Sequence, residues 1–217
     1  MSCNAVIFDC DGVLFDSNAL KTEAFRETLA NYPQAIVDEF IAYHQKYGGI
    51  SRYVKLRAFF TDFLQTSVNQ SKLEELLQNF GDACQGLYQE AMLTPGCLTV
   101  LEKLSSRIPL YVASGSDETE LRKVFAQRGL DNFFQEIYGS PKTKQACVAE
   151  ILEKFTSHEG IVMVGDAESD WQAAKKTGIS FIFMAKFSEA ASFMSEKANT
   201  ENFIMIDTLQ DLLNFLS

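Results

Sequence analysis

Short apolar runs alternate with stretches of helical periodicity through the C-terminal part of this chain, and no other feature constrains its fold as much. Helical spacing over 97–105 is followed by an apolar run at 109–113. The pairing repeats as 118–128 with 136–138, 144–155 with 160–164, and 169–177 with 180–184, before a closing strand and helix over 203–216. Strands joined through helices pack as a parallel sheet with helices on both faces, because each crossover returns the next strand in the same direction. Near the N-terminus, Ala5-Val6-Ile7-Phe8 is unbroken by any polar residue, as a strand buried on both faces must be. The expected class is therefore α/β, a doubly wound parallel sheet that includes this first strand.

Residues 17–92 read differently. They hold no convincing strand, and apolar residues recur at spacings of three and four: Tyr53, Leu56, Phe60 and Phe63 on one face, Leu73, Leu76, Leu77 and Phe80 on the next. Ser51 and Ser71 are read as N-caps. Four or five helices forming a bundle are expected, inserted directly after strand one and ended by Leu93-Thr94-Pro95-Gly96. The chain then divides into a sheet domain (1–16 with 93–217) and a helical cap (17–92).

Composition narrows the function. With 47% hydrophobic residues over 217 positions the chain can build a core. Nineteen basic residues against twenty-nine acidic ones leave a net charge of −10, the wrong sign for a general nucleic-acid binder. No apolar run approaches the ~20 residues of a membrane span, and the opening residues lack the basic and long apolar regions of a signal peptide. Five scattered cysteines (Cys3, Cys10, Cys84, Cys97, Cys147) with no CxxC read as reduced thiols. A cytoplasmic protein is expected, a monomer or homodimer, with neither nucleic acid nor membrane as partner.

Ligands bind an open parallel sheet at the carboxyl ends of its strands. Those ends carry Asp9 and Asp11, Ser114-Gly115-Ser116, and Gly165-Asp166 with Asp170 four residues on; Lys142 and Lys144 precede a helix. Carboxylates converging on one edge repel unless a cation neutralises them. Oxygen-only ligation suits Mg²⁺, which binds through few carboxylates plus a substrate phosphate. A hydroxyl, the amides after Gly115 and a lysine would supply a positive rim for a phosphoryl group.

The segment Asp9-Cys10-Asp11-Gly12-Val13-Leu14-Phe15-Asp16-Ser17 resembles the DxDGxxxDS signature of the haloacid dehalogenase-like hydrolases. The other family motifs follow in order: Ser114 at a strand end, a lysine near a helix start, then GDxxxD at Gly165, Asp166 and Asp170. The position of the insertion also matches one cap type of that family. The resemblance implies a phosphatase acting on a small phosphorylated metabolite, similar to phosphoglycolate phosphatases. Asp9 would be nucleophile and Asp11 general acid and base. Mg²⁺ would lie on Asp9, the Asp11 carbonyl and Asp166, with Asp170 beside it or bonded through water; Ser114 and Gly115 would hold phosphate oxygens. A phosphomutase of the β-phosphoglucomutase kind shares these motifs, and a non-catalytic regulatory member is a third reading. The catalytic lysine is Lys142 or Lys144; many relatives read Lys-Pro-x-Pro-Asp where this chain has Ser140-Pro141-Lys142-Thr143-Lys144-Gln145, and Lys144 is preferred.

Within the insertion, Gly48-Gly49-Ile50-Ser51-Arg52-Tyr53-Val54-Lys55 places Arg52 and Lys55 on one helix face, a substrate-specificity loop or a solvated surface. Asp16 and Ser17 are expected to cap the first inserted helix, Glu168 to sit exposed beside the metal, and His44 and His158 to lie on the surface.

Overall fold

The computed structural model describes residues 3–216. Strand β1 (Ala5–Phe8) is followed by helices α1 (Asn18–Thr28), α2 (Gln34–Lys46), α3 (Arg52–Ala58) running into a π-turn at Phe59–Phe63, and α4 (Gln70–Glu90). Alternation then sets in: α5 (Cys97–Ser105), β2 (Leu110–Asp117), α6 (Glu118–Gln127), β3 (Glu136–Ser140), α7 (Lys144–Leu152), β4 (Ile161–Gly165) and α8 (Glu168–Thr177). The chain closes with β5 (Ser180–Met184), α9 (Ala191–Glu201), β6 (Ile204–Ile206) and α10 (Leu209–Leu212).

All six strands are parallel, in the order β3-β2-β1-β4-β5-β6. The doubly wound sheet expected from the alternation is present. β1 lies between β2 and β4, with Val6 opposite both Leu110 and Val162. Period two explains why its four residues are all apolar and fully buried. Val6 and Phe8 enter the core under α5 and α6, while Ala5 and Ile7 enter the core under α7 and α8. From β1 the chain winds outward to β2 and β3, then returns to β4 on the other side. The crevice at this reversal opens between the carboxyl ends of β1 and β4, where open α/β sheets bind ligands.

The helical segment packs through aromatic rings: Phe25 stacks on Phe80 with centroids 4.0 Å apart, and Phe40 meets Phe59 edge-on at 5.2 Å. Its core is continuous with that of the sheet, because Phe15 touches both Tyr88 of α4 and Phe125 of α6. The two connecting passages run side by side, the Asp16 amide donating to Met92 and the Thr94 amide to Leu14.

Several local expectations are corrected. Asn69, not Ser71, caps α4, accepting from the Lys72 amide at 3.0 Å. Ser51 occupies the N-cap position of α3 without a side-chain bond, and so does Ser17 for α1. Ser17 is engaged elsewhere, and Asp16 is exposed. Helix α9 escaped the sequence reading because only Met194 of its residues is buried, which leaves no apolar stripe to read.

Candidate active site

Two turns build the centre. After β1, the Asp9 amide donates to the Val164 carbonyl, which continues the ladder to β4 and holds Asp9 beside Asp166. The chain then folds back on itself, with Gly12 at φ +73°; a side chain there would strike the Asp166 carboxylate, so glycine is required on both counts. After β4, Asp170 in the first turn of α8 accepts from the Ala167 amide at 3.1 Å, which fixes its carboxylate against Gly165.

Oxygens of Asp9, Asp166 and Asp170, all buried, come within 4.8 Å of one another. Burial pushes the Asp170 carboxyl up to about 7, and burial with the charges of Asp9 and Asp170 pushes Asp166 well above the carboxylate range. Asp9 Oδ1 is buried with no hydrogen-bond partner. An all-oxygen cluster of mutually repelling acids with an unsatisfied lone pair fits a hard divalent cation such as Mg²⁺.

Lys144, the first residue of α7, reaches into this cluster, with Nζ 2.9 Å from Asp9 Oδ2 and 2.5 Å from Asp170 Oδ1. Burial disfavours its charge, but Asp170 and Asp9 outweigh that and raise its pKa. Thr143 caps the helix, accepting from the Ala146 amide, and so aims this lysine. The alternative, Lys142, lies on the surface 2.6 Å from Glu150 and takes no part in the cluster. Of the two lysines, only Lys144 joins the acidic cluster.

Asp11 is held on every side. Its Oδ1 accepts from Ser17 Oγ at 2.6 Å and Tyr88 Oη at 2.7 Å; its Oδ2 accepts from Lys21 Nζ at 2.5 Å and Ser116 Oγ at 2.9 Å. Burial would raise this carboxyl, yet the Lys21 ammonium with Ser17 and Tyr88 holds it below its usual value. Lys21 also bonds Ser116.

The other candidates separate. Gly115 and Ser116 border the main cavity, whereas Ser114 sits buried behind them and accepts from the Ser116 amide at 3.2 Å. Gly115 packs so close to the Gly49 carbonyl that a side chain would collide with it, which brings the inserted segment down onto the strand end. Arg52 and Lys55 both line the cavity; Lys55 is buried and Arg52 half-buried. Arg52 is bonded to Glu120 through both terminal nitrogens. Lys55 is 1% exposed and sits 2.6 Å from His44 Nδ1. His44 is therefore not a surface residue: its ring packs 4.6 Å from Phe25. His158 is exposed as expected. Glu168 is half-buried and paired with Lys197.

Sequence reasoning missed Asn18, Lys21 and Tyr88, and placed Ser116 at the strand end without giving it a role. Asn18 Nδ2 donates to Asp166 at 2.6 Å and to the Phe187 carbonyl at 2.9 Å. A signal existed for Lys21, one helical turn after Ser17 and so on the same face, whereas Tyr88 is seventy-seven residues from Asp11 and left none.

A family model described as haloacid dehalogenase-like hydrolase matches residues 6–184. A phosphoglycolate phosphatase of Rhodospirillum rubrum is 28% identical over 83% of this chain and 79% of its own. A phosphorylated carbohydrates phosphatase of Thermotoga maritima is 25% identical over 82% of this chain and 83% of its own. Among solved structures, a haloacid dehalogenase-like family hydrolase from Streptococcus pneumoniae superposes with a TM-score of 0.72, at 24% identity and 98% coverage of both chains.

Proposed function

The chain belongs to the haloacid dehalogenase-like hydrolases, and from that premise we propose that it is a Mg²⁺-dependent phosphatase, hydrolysing a small phosphorylated metabolite through an aspartyl-phosphate on Asp9. The observation that carries the reading is Asp9 itself: one oxygen is fixed by Lys144 and the other is buried without a partner, free to attack.

Attack by Asp9 Oδ1 on phosphorus forms the acyl-phosphate bond as the ester P–O bond breaks, splitting one hard displacement into two. The departing oxygen takes a proton from Asp11. Lys21 favours the ionised form of Asp11, and an arriving phosphate adds negative charge that raises its proton affinity. In the second step Asp11, once more a carboxylate, removes a proton from the water that attacks phosphorus, releasing phosphate and restoring Asp9. Ser17, Tyr88 and Ser116 keep it in line for both transfers. Lys144 offsets charge on Asp9 and on the phosphoryl group, while the Gly115 amide and nearby hydroxyls are available to phosphate oxygens. Asp9, the Asp11 carbonyl and Asp166, with Asp170 adjacent, would hold Mg²⁺, which when bound neutralises the acidic cluster and polarises the phosphoryl group. The helical segment, joined by paired passages at 15–18 and 92–96, serves as a lid that excludes water.

The test is a screen of phosphorylated metabolites with Mg²⁺, reading free phosphate and checking products for isomerised ester. Phosphate release from one or more supports the reading. Isomerisation without release would replace it with a mutase, and no turnover of any ester would overturn it.

A further inference from the structure

Arg128, the residue that closes α6, directs its charge at backbone. Its Nη1 donates to the carbonyls of Tyr88 at 2.8 Å and Ala91 at 3.0 Å. Arg26, Arg52 and Arg122 each meet a carboxylate, whereas Arg128 meets none among the described residues. A helix leaves its last carbonyls without partners of its own, and its C-terminus carries partial negative charge. Helix α4 has no basic residue in its last turn to answer either need, and its own closing bond runs from the Ala91 amide to the Leu87 carbonyl. A cation from the sheet domain completes the end of a helix in the inserted segment.

That last turn carries Tyr88. Its ring is buried and packs edge-on against Phe15 with centroids 5.6 Å apart, and its Oη donates to Asp11 Oδ1 at 2.7 Å. The Arg128 guanidinium lies 5.3 Å from the centre of the same Phe15 ring. One side chain thus touches both connecting passages, Phe15 leading into α1 and Ala91 leading out of α4, together with the residue whose hydroxyl holds Asp11. Without the guanidinium the Tyr88 carbonyl loses this partner and the last turn of α4 is free to fray. The hydroxyl at the other end of Tyr88 would then drift from Asp11, and a hydrogen bond weakens steeply as its alignment is lost.

We propose that Arg128 is a positioning residue for the reaction: by capping α4 it sets the place of Tyr88, and through Tyr88 the line of the Asp11 carboxyl. Arg128 does not border the cavity that Asp9 and Asp11 line, and it touches no reacting atom. Its contribution falls on proton transfer at Asp11 rather than on substrate binding. Its loss is therefore felt in kcat more than in KM, and most by esters whose departing oxygen needs the proton. This inference rests on the phosphatase reading for its kinetic measurement, but not for its spectroscopic one.

The kinetic experiment is a cycle of Arg128→Met and Tyr88→Phe, assayed with p-nitrophenyl phosphate and with an alkyl phosphate that the unaltered protein turns over. Each single substitution should lower kcat for the alkyl ester by roughly 10-fold, the loss of one hydrogen bond to a charged group, and the loss for p-nitrophenyl phosphate should be smaller. The double variant should lose no more than Tyr88→Phe alone, because Arg128 acts through that hydroxyl. Arg128→Lys, which keeps a cation at the helix end, should recover most of the loss. Equal losses for the two esters, or losses that multiply in the double variant, overturn the proposal and leave the phosphatase reading intact. The second measurement needs no turnover. In protein isotope-labelled at tyrosine Cζ, the Tyr88 resonance is identified by its absence from Tyr88→Phe. It should move in Arg128→Met in the direction it moves in Asp11→Ala, and return in Arg128→Lys. A resonance that stays in place overturns the proposal whatever becomes of the phosphatase reading. If Arg128→Met does not fold, Arg128→Gln replaces it in both measurements, with the same outcomes.

Discussion

Arg52 and Glu120 join the helical segment to the sheet through two contacts of 2.9 and 2.6 Å, with Asp117 a further 3.9 Å from the same guanidinium. The guanidinium that looked free to meet substrate already has a carboxylate in bidentate geometry, and the half-burial of both partners makes the pair matter. A double-mutant cycle with Arg52→Ala and Glu120→Ala should return a coupling of ~0.5–3 kcal/mol in thermal or urea unfolding. Strict additivity would show that the two residues do not hold the segment down.

Asp9→Asn should lower kcat by several orders of magnitude, because what remains after loss of a nucleophile is binding and electrostatics alone. The circular dichroism spectrum should be unchanged, since Lys144 retains Asp170 as its partner. Turnover within tenfold of the unaltered enzyme would remove Asp9 from the nucleophile role.

Asp11→Ala should be severe and unequal. An alkyl phosphate needs a proton on its departing oxygen, while p-nitrophenyl phosphate scarcely does, so the alkyl ester should lose more in kcat/KM. Equal losses would speak against an acid role.

Removal of divalent cation should be visible without turnover. Neutralising three buried acids that repel one another stabilises the folded chain, by ~2.7 kcal/mol at a hundred times Kd. Tm should rise on adding Mg²⁺, fall back with EDTA, and respond much less in Asp166→Asn. A Tm indifferent to Mg²⁺ would be the contrary result.

Lys55→Met should stabilise the protein, by an amount that depends on pH. Burial brings Lys55 from its ordinary 10.5 down to about 7, with Lys21 adding repulsion. Between those values the unfolded chain binds more protons than the folded one, so stability of the unaltered protein rises with pH across that window. Below pH 7 both states are protonated and the full destabilisation is present. The advantage of the methionine variant, of the order of 1 kcal/mol or more, should therefore be largest at pH 6 and shrink toward pH 10. Melting both proteins across that range checks it, and an advantage that grows with pH would contradict the assignment.

Strand–helix alternation and the polar residues ending each apolar run were enough to locate the sheet, its parallel direction and the edge that carries Asp9, Asp11, Asp166 and Asp170. Those features are local: period two, period 3.6 and the chemistry of a turn are written within a few consecutive residues. The choice between Lys142 and Lys144 was not, because both flank the same cap and only the approach of α7 to Asp9 and Asp170 separates them. Nor could spacing show that Arg52 is spent on Glu120, that His44 is buried against Phe25, or that Tyr88 reaches back to Asp11. The first and last of those depend on how the helical segment lies over the sheet, the second on how α1 and α2 pack within it. That placement is settled by packing between residues far apart in sequence, where burial turns an ordinary surface charge into one that must find a partner.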